Sequence, residues 1–186
     1  MADDIVTARL RLRPPRPDDL EALHGLASDY EVVKQTATWP WPPDRAFSAS
    51  RCRPIAPEAG LGGLVFRDET LVGMIGLHAG AAGGTLGYMF ARAHWGQGYA
   101  TEIGKALIAA GFARFDWPQI EACVFDTNPA SGRVLEKLGF EETGRCEGPS
   151  AAQGLELPLR TFRLRRAGPV SSQETDAKSL KDFGAT

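Results

Sequence analysis

Long apolar runs are missing from this 186-residue chain, and with them the pattern of a membrane-spanning helix, which needs about 20 consecutive apolar residues. No apolar stretch near the N-terminus is bounded by a small-residue cleavage site, so no secretory leader is expected. Cysteine is scarce. The three present, Cys52, Cys123 and Cys146, are far apart and odd in number, which argues against a disulfide framework and predicts reduced thiols in a cytoplasmic protein. Metal-ligand spacing is also missing: there is no C-x-x-C or H-E-x-x-H, and His24, His78 and His94 are scattered. No metal site is expected. Charge of one sign is not in excess either. A net charge of -2 gives no general pull toward nucleic acid or a membrane surface. Repeats and low-complexity tracts are absent.

What remains is an ordinary globular composition, 43% hydrophobic and 24% charged, in a chain long enough for one domain with a full-sized core. The expected domain runs over 1–166. From Ala167 the residues are mostly small or polar, and 167–186 reads as a disordered or loosely docked tail.

Thr7 to Arg13 alternates, with Leu10 and Leu12 on one face and Arg9, Arg11 and Arg13 on the other, as in a half-buried strand. The arginines read as a solvated face, with a phosphate patch as the alternative. Pro14, Pro15 and Pro17 stop the strand, and Asp18 and Asp19 open a helix in keeping with its dipole. A short helix is expected over 29–35 and another over 44–53. Between them the prolines of TATWPWPP hold Trp39 and Trp41 on a stiff loop. These rings serve either as a core plug or as an aromatic wall for a substrate. Strands are expected over 61–67 and 70–78, forming a hairpin, and over 85–90, 120–125, 141–146 and 156–165. Helices fall at 99–115 and 129–138, the second with Asn128 as N-cap, Pro129 at its first position and Gly139 beyond its end.

The stretch Leu86 to Phe115 organises the rest. A strand leads through Gly96 and Gly98 into an apolar helix. A helix N-terminus carries unpaired N–H groups and partial positive charge, and glycine lets a phosphate come close to the backbone. The segment reads as an anion cradle for a pyrophosphate, with a plain turn as the alternative. It is not a P-loop, because G-x-x-x-x-G-K-[ST] is absent. It is a poor dinucleotide fingerprint, because Thr101 stands at the third glycine position. A dinucleotide-dependent oxidoreductase is therefore a distant possibility.

The segment Trp95-Gly96-Gln97-Gly98-Tyr99-Ala100 resembles the acyl-CoA motif Q/R-x-x-G-x-G/A of the GNAT acetyltransferases, matching at Gly98 and Ala100. Its form W-G-Q-G-Y-A-T-E is similar to the RimJ/RimL-type branch. Asn128-Pro129-Ala130-Ser131, with the later L-E-K-L-G-F, resembles the N-x-x-S block of the same branch, and Thr7 to Pro14 resembles its opening. The likeness runs from about residue 7 to 165.

The resemblance implies an α+β GNAT fold, a mixed sheet of about seven strands splayed between the fourth and fifth and flanked by about four helices. It implies acetyl-CoA as acyl donor, lying between the strands at 85–90 and 120–125. Backbone groups of Met89, Phe90 and Ala91 would meet the pantetheine, and N–H groups of Gly96, Gln97, Gly98, Tyr99 and Ala100, with Thr101 in the same turn, would meet the pyrophosphate. The Asn128 side chain would also meet the pantetheine. An amine then attacks the thioester directly, which calls for a neutral amine, an oxyanion donor and a donor for the departing thiolate. Many members use a tyrosine for the thiolate, but here that position is Leu135. Ser131 is the natural substitute, as a hydrogen-bond donor. Glu31, His78 and Glu147 are candidate bases, with a water relay as the alternative. The acceptor is a small-molecule amine or a protein N-terminus, and the protein a monomer or homodimer. The second functional reading is a non-catalytic acyl-CoA-binding regulatory module. Acetyl-CoA consumption separates the two.

Overall fold

The computed structural model describes residues 4–167; the tail expected over 167–186 lies, apart from Ala167, outside the described residues. One eight-stranded sheet, ordered β1-β2-β3-β4-β5-β6-β8-β7, carries the fold. The strands are β1 (Ile5–Val6), β2 (Arg11–Arg13), β3 (Gly60–Arg67), β4 (Thr70–Gly80), β5 (Gly83–Phe90), β6 (Gln119–Phe125), β7 (Glu141–Ser150) and β8 (Leu155–Arg165). The helices are α1 (Leu20–Ala27), α2 (Tyr30–Val33), α3 (Arg45–Arg51), α4 (Tyr99–Arg114) and α5 (Pro129–Lys137). The strand and helix numbers each exceed expectation by one, while the α+β order and the mixed sheet are as expected.

The extra strand comes from the first expected one. Residues 7–10 form a turn, and β1 folds back on β2 with Ile5 opposite Leu12. Glu102 of α4 makes this turn. It accepts from the Thr7 hydroxyl at 2.7 Å, the Arg9 backbone N–H at 2.9 Å and Arg9 Nε at 2.7 Å. Leu10 and Leu12 are both buried, as their alternation predicts. Arg13 is no solvated residue: it pairs with Asp19 and lies 4.3 Å from the centre of the Phe66 ring.

Every neighbouring pair in the sheet is antiparallel except β5 and β6, which run parallel and pair only at Gly84 with Ile120 and Thr85 with Glu121. Glycine permits that close rung. A Cβ on Gly83 would stand 2.2 Å from Gln119 O, and one on Gly84 would stand 2.6 Å from the Trp117 ring. Beyond this rung each strand continues unpaired with the other, so a gap opens toward their C-terminal ends.

The two faces of the sheet are covered differently. α4 and α5 pack on one face, where Ile103, Leu107, Ile120, Leu135 and Phe162 are almost wholly buried. Each such side chain contributes roughly 1.5–3 kcal/mol by leaving water. Gly111 sets α4 close on the sheet, since a Cβ there would meet Leu77 at 2.4 Å; Gly104 instead faces Leu138 beside α5. On the other face α1, α2 and α3 enclose a second cluster that includes Leu23, Val33, Trp39, Leu64 and Met89.

Candidate functional site

The gap places two helix N-termini at one end. β5 leads through Arg92–His94 and the two glycines into α4, and β6 leads through residues 126–127 to Asn128 and α5. These are the C-terminal ends of parallel strands, where α/β sheets hold ligands.

The start of α4, like that of α1, has no side-chain cap. Asp29, Asp44 and Asn128 cap α2, α3 and α5, each accepting a backbone N–H from the first turn. α4 opens on Gly98 in the left-handed conformation (φ 79°, ψ 7°) with no side-chain cap. Its first N–H groups remain available to an anion, and the helix dipole favours one. Arg9 adds a cation at the same place. Its guanidinium lies 4.9 Å from the centre of the Tyr99 ring, with Nη2 3.6 Å from where a Gly98 Cβ would stand. Alone, a cation beside a helix N-terminus is unfavourable; Glu102 offsets it, and an anion bound there would be held by both. Tyr99 is buried, and its hydroxyl accepts from Arg67 Nη1 at 2.7 Å. The sequence placed Arg9 on a solvated face with a phosphate patch as the alternative; the turn at 7–10 leaves it exposed and sends it toward α4.

A valine at position 98 tests the cradle. It must either adopt left-handed backbone, at about 1–2 kcal/mol, or shift the N–H groups. Gly98→Val is expected to weaken CoA binding by about tenfold, or 1.4 kcal/mol, as read by calorimetric titration, with the fold retained. Unchanged affinity would mean that the glycines only make a turn.

The loop around the cradle is pinned. The Trp95 indole donates to Phe90 O at 2.8 Å, Gln97 Nε2 donates to Ala93 O at 3.3 Å, and the Ala91 N–H donates to Val72 O at 2.9 Å. Met89 and Phe90 are buried, and Ala91 is half-buried at the strand's end. Ala100 and Thr101 lie half-buried in the first turn of α4.

Ser131 lies in the first turn of α5, its N–H donating to Asn128 Oδ1 at 3.1 Å. Its hydroxyl lies 2.7 Å from the Tyr88 hydroxyl. Burial pushes the Tyr88 phenol up to about 12, against the opposing pull of the Ser131 hydrogen bond. Tyr88 was not singled out from the sequence. As one aromatic in an apolar run it carries no signal of chemistry until β5 and α5 are brought together. Leu135 is fully buried in the core between α5 and the sheet.

The remaining candidates are dispersed. Glu31 pairs with Lys34 at 2.7 Å. Glu147 is exposed on β7. His78 sits opposite Thr85, on the rung where β5 and β6 last pair. It is exposed by surface area, and desolvation first and then Arg51 lower its imidazole pKa, which makes it a weaker base than a free imidazole. None of the three hydrogen-bonds to Ser131 or Tyr88. The two tryptophans separate. Trp39 is a core residue, 6% exposed and packed edge-on to Phe47. Trp41 is 40% exposed, its ring centre 5.2 Å from that of Tyr30. A cleft of about 250 Å³ between α1, α2 and the end of β5 is lined by Leu26, Asp29, Val32, Ala91 and Arg92. Asp29 and Arg92 pair there at 3.1 Å.

Comparison with known proteins places this geometry. A model of the acetyltransferase (GNAT) domain matches residues 9–141. The uncharacterized N-acetyltransferase p20 of Bacillus licheniformis is 28% identical over 177 residues, covering 87% of this chain and 96% of that protein. The uncharacterized N-acetyltransferase YoaA of Bacillus subtilis is 37% identical over 86 residues, 44% of this chain; the match spans only about half (49%) of that protein's length. Among solved structures, an acetyltransferase of the GNAT family from Bacillus anthracis superposes with a TM-score of 0.72 at 24% identity, covering 88% of this chain and 98% of that one. RimL, a ribosomal L7/L12 α-N-protein acetyltransferase in complex with coenzyme A, superposes with a TM-score of 0.74 at 18% identity, covering 88% and 98%. With the family model spanning the cradle, the gap and α5, this chain belongs to the GNAT acetyltransferase family.

Proposed function

We propose that the protein is an acetyl-CoA-dependent N-acetyltransferase that moves the acetyl group to a primary amine by direct attack within a ternary complex. The observation that carries this reading is the gap between β5 and β6, which has the uncapped, cation-flanked N-terminus of α4 and the Ser131 hydroxyl at the same end. The pyrophosphate lies on the N–H groups of 96–101 beside Arg9, and the pantetheine runs along Met89, Phe90 and Ala91 toward Asn128. The amine nitrogen attacks the thioester carbon, forming the C–N bond and sending the carbonyl pair to oxygen. Collapse restores the carbonyl and breaks the C–S bond, with the electron pair leaving on sulfur. Ser131 donates a hydrogen bond to that thiolate, and the amine's surplus proton passes to a base or to water. Glu31, His78, Glu147 or a water relay serves as that base.

The acceptor is a protein N-terminal α-amine or a small-molecule amine. The likeness to RimL, an α-N-protein acetyltransferase, at 18% identity supports the fold and makes N-terminal peptides the first acceptors to try. The described residues include no helix long and apolar enough to cross a membrane.

Two measurements test the reading. CoA at a hundred times its Kd is expected to stabilise the fold by about 2.7 kcal/mol through mass action, visible as a raised Tm, and NAD is expected to leave Tm unchanged. Acetyl-CoA consumption is then followed with N-terminal peptides and small amines. Binding without turnover on any amine would favour a regulatory acyl-CoA-binding module. No thermal shift with CoA would overturn the site.

A further inference from the structure

Tyr88 has no part in the chemistry above, yet it reaches into its centre. The residue leaves β5 past the last rung shared with β6, on the α4–α5 face of the sheet. Its hydroxyl ends at the first turn of α5, 2.7 Å from Ser131 Oγ and 3.2 Å from Ser131 O. A polar group this enclosed is costly unless bonded, and both of its partners belong to one residue.

Ser131 O is a carbonyl and can only accept. The single Tyr88 hydroxyl hydrogen therefore has two settings: on Ser131 O, with Ser131 Oγ donating to the phenol, or on Ser131 Oγ. In the second setting the Ser131 hydroxyl hydrogen is free to turn outward, and a departing thiolate in front of it selects that setting. We propose that Tyr88 is a positioning residue for Ser131: by donating to Oγ it directs the serine hydrogen toward the thioester sulfur and strengthens the bond to the departing thiolate. The inference rests on the acetyltransferase reading and on Ser131 as thiolate donor. It adds the residue that orients that donor, in place of the phenol that Leu135 cannot supply.

Magnitudes decide between orientation and proton delivery. A thiol ionises near 8.5, whereas burial holds the Tyr88 phenol near 12. Passing the phenol's proton to the thiolate would run uphill, so the pair acts through hydrogen bonds, each polarising the next. The thiolate leaves as an anion and takes its proton later from water, and Tyr88 ends the cycle as it began.

The test compares Tyr88→Phe, Ser131→Ala and the double variant in the full chain. A neutral hydrogen bond is worth about 0.5–1.5 kcal/mol, so Tyr88→Phe is expected to lower kcat by about two- to twelvefold. The KM for acetyl-CoA and the Tm should stay near wild type. Because Tyr88 acts only through Ser131, the double variant should turn over like Ser131→Ala alone, not at the product of the two losses. A second readout needs no acceptor. The thiol of bound CoA is titrated by thiolate absorbance, and its acid dissociation constant should fall about threefold in Tyr88→Phe, since losing a donor to the charged form disfavours it. In the Ser131→Ala background the same change should have no effect. Tyr88→Phe at the wild-type rate with an unchanged titration, or losses that multiply in the double variant, would overturn the proposal. A wild-type protein that turns over normally separates that failure from failure of the acetyltransferase reading. One that binds CoA but acetylates nothing leaves the titration to decide, and one that binds no CoA ends both.

Discussion

Ser131→Ala is expected to lower kcat by about ten- to a thousandfold, the range for one donor or proton-transfer group in the transition state. The reason lies in when the hydroxyl acts. Charge builds on sulfur only as the tetrahedral intermediate collapses, so a donor aimed there stabilises that stage and adds little to ground-state binding. The KM for acetyl-CoA should therefore change by no more than about twofold, as expected for an interaction made late. Steady-state kinetics on the best acceptor, with CoA affinity measured separately, checks both halves. The substitution is structurally mild. The N-cap bond uses the Ser131 backbone N–H, which alanine keeps. A phenol placed at Leu135 is not expected to rescue the variant. Leu135 is 0% exposed, and overpacking a filled core costs about 1–3 kcal/mol. A wild-type rate in Ser131→Ala would reduce the serine to a first-turn polar residue and leave solvent as the proton source.

Asp19→Ala is expected to remove about 3 kcal/mol of stability, the scale of breaking a buried ion pair from one side. The Asp19 carboxylate accepts from Arg13 Nη1 at 2.8 Å and Nη2 at 2.6 Å, and from the Arg16 backbone N–H at 2.6 Å. The two side chains are only 13% and 10% exposed. Alanine strands the guanidinium against Phe66 with Pro14 O, among the described residues, the one acceptor left to it. For a domain of this size the loss corresponds to a Tm drop of about 6–12 °C. The pair also sets a pH dependence. The Arg13 hydrogen bond, against the opposing effect of burial, holds the Asp19 carboxyl below its ordinary range. A depressed folded-state pKa means that the stabilisation is present above the unfolded carboxyl's pKa, near 4, and is lost as pH falls through the folded value. The Tm difference between wild type and Asp19→Ala should therefore be full at pH 7 and shrink in acid below about pH 4. A difference that stays constant down to pH 2 would show that the loss comes from packing alone.

Both predictions turn on residues whose types were legible and whose partners were not. Asp19 reads from sequence as an acidic residue at a helix start. Its side chain instead turns back to Arg13 at the end of β2, joining that strand to the approach to α1. Arg9 reads as the solvated side of an alternating strand. The alternation of Leu10 and Leu12 does report burial correctly, but Glu102, some ninety residues later in the chain, bends 7–10 into a turn and carries Arg9 to the cradle. Trp39 and Trp41, two residues apart on one proline-stiffened loop, look equivalent. One is buried and the other is not.

The sequence by itself determined the elements and their order from β2 onward, while the turn at 7–10 that separates β1 from β2 needed Glu102. Helix starts at Asp29, Asp44 and Asn128, strand alternation, proline stops and the left-handed glycines of the α4 turn are local effects, set by a residue and its near neighbours. The motif residues from Trp95 to Ala100 and from Asn128 to Ser131 were legible for the same reason, since each cluster lies within one turn of chain. Only the tertiary structure decided what those clusters face. The gap exists because β5 and β6 pair at only two adjacent positions and then part, and Gly83, Gly84 and the Trp117 ring make that short pairing fit. Tyr88 meets Ser131 across 43 residues of chain. A hydrogen bond of that reach depends on the twist of the sheet and the seating of α5, and side-chain periodicity does not encode either one.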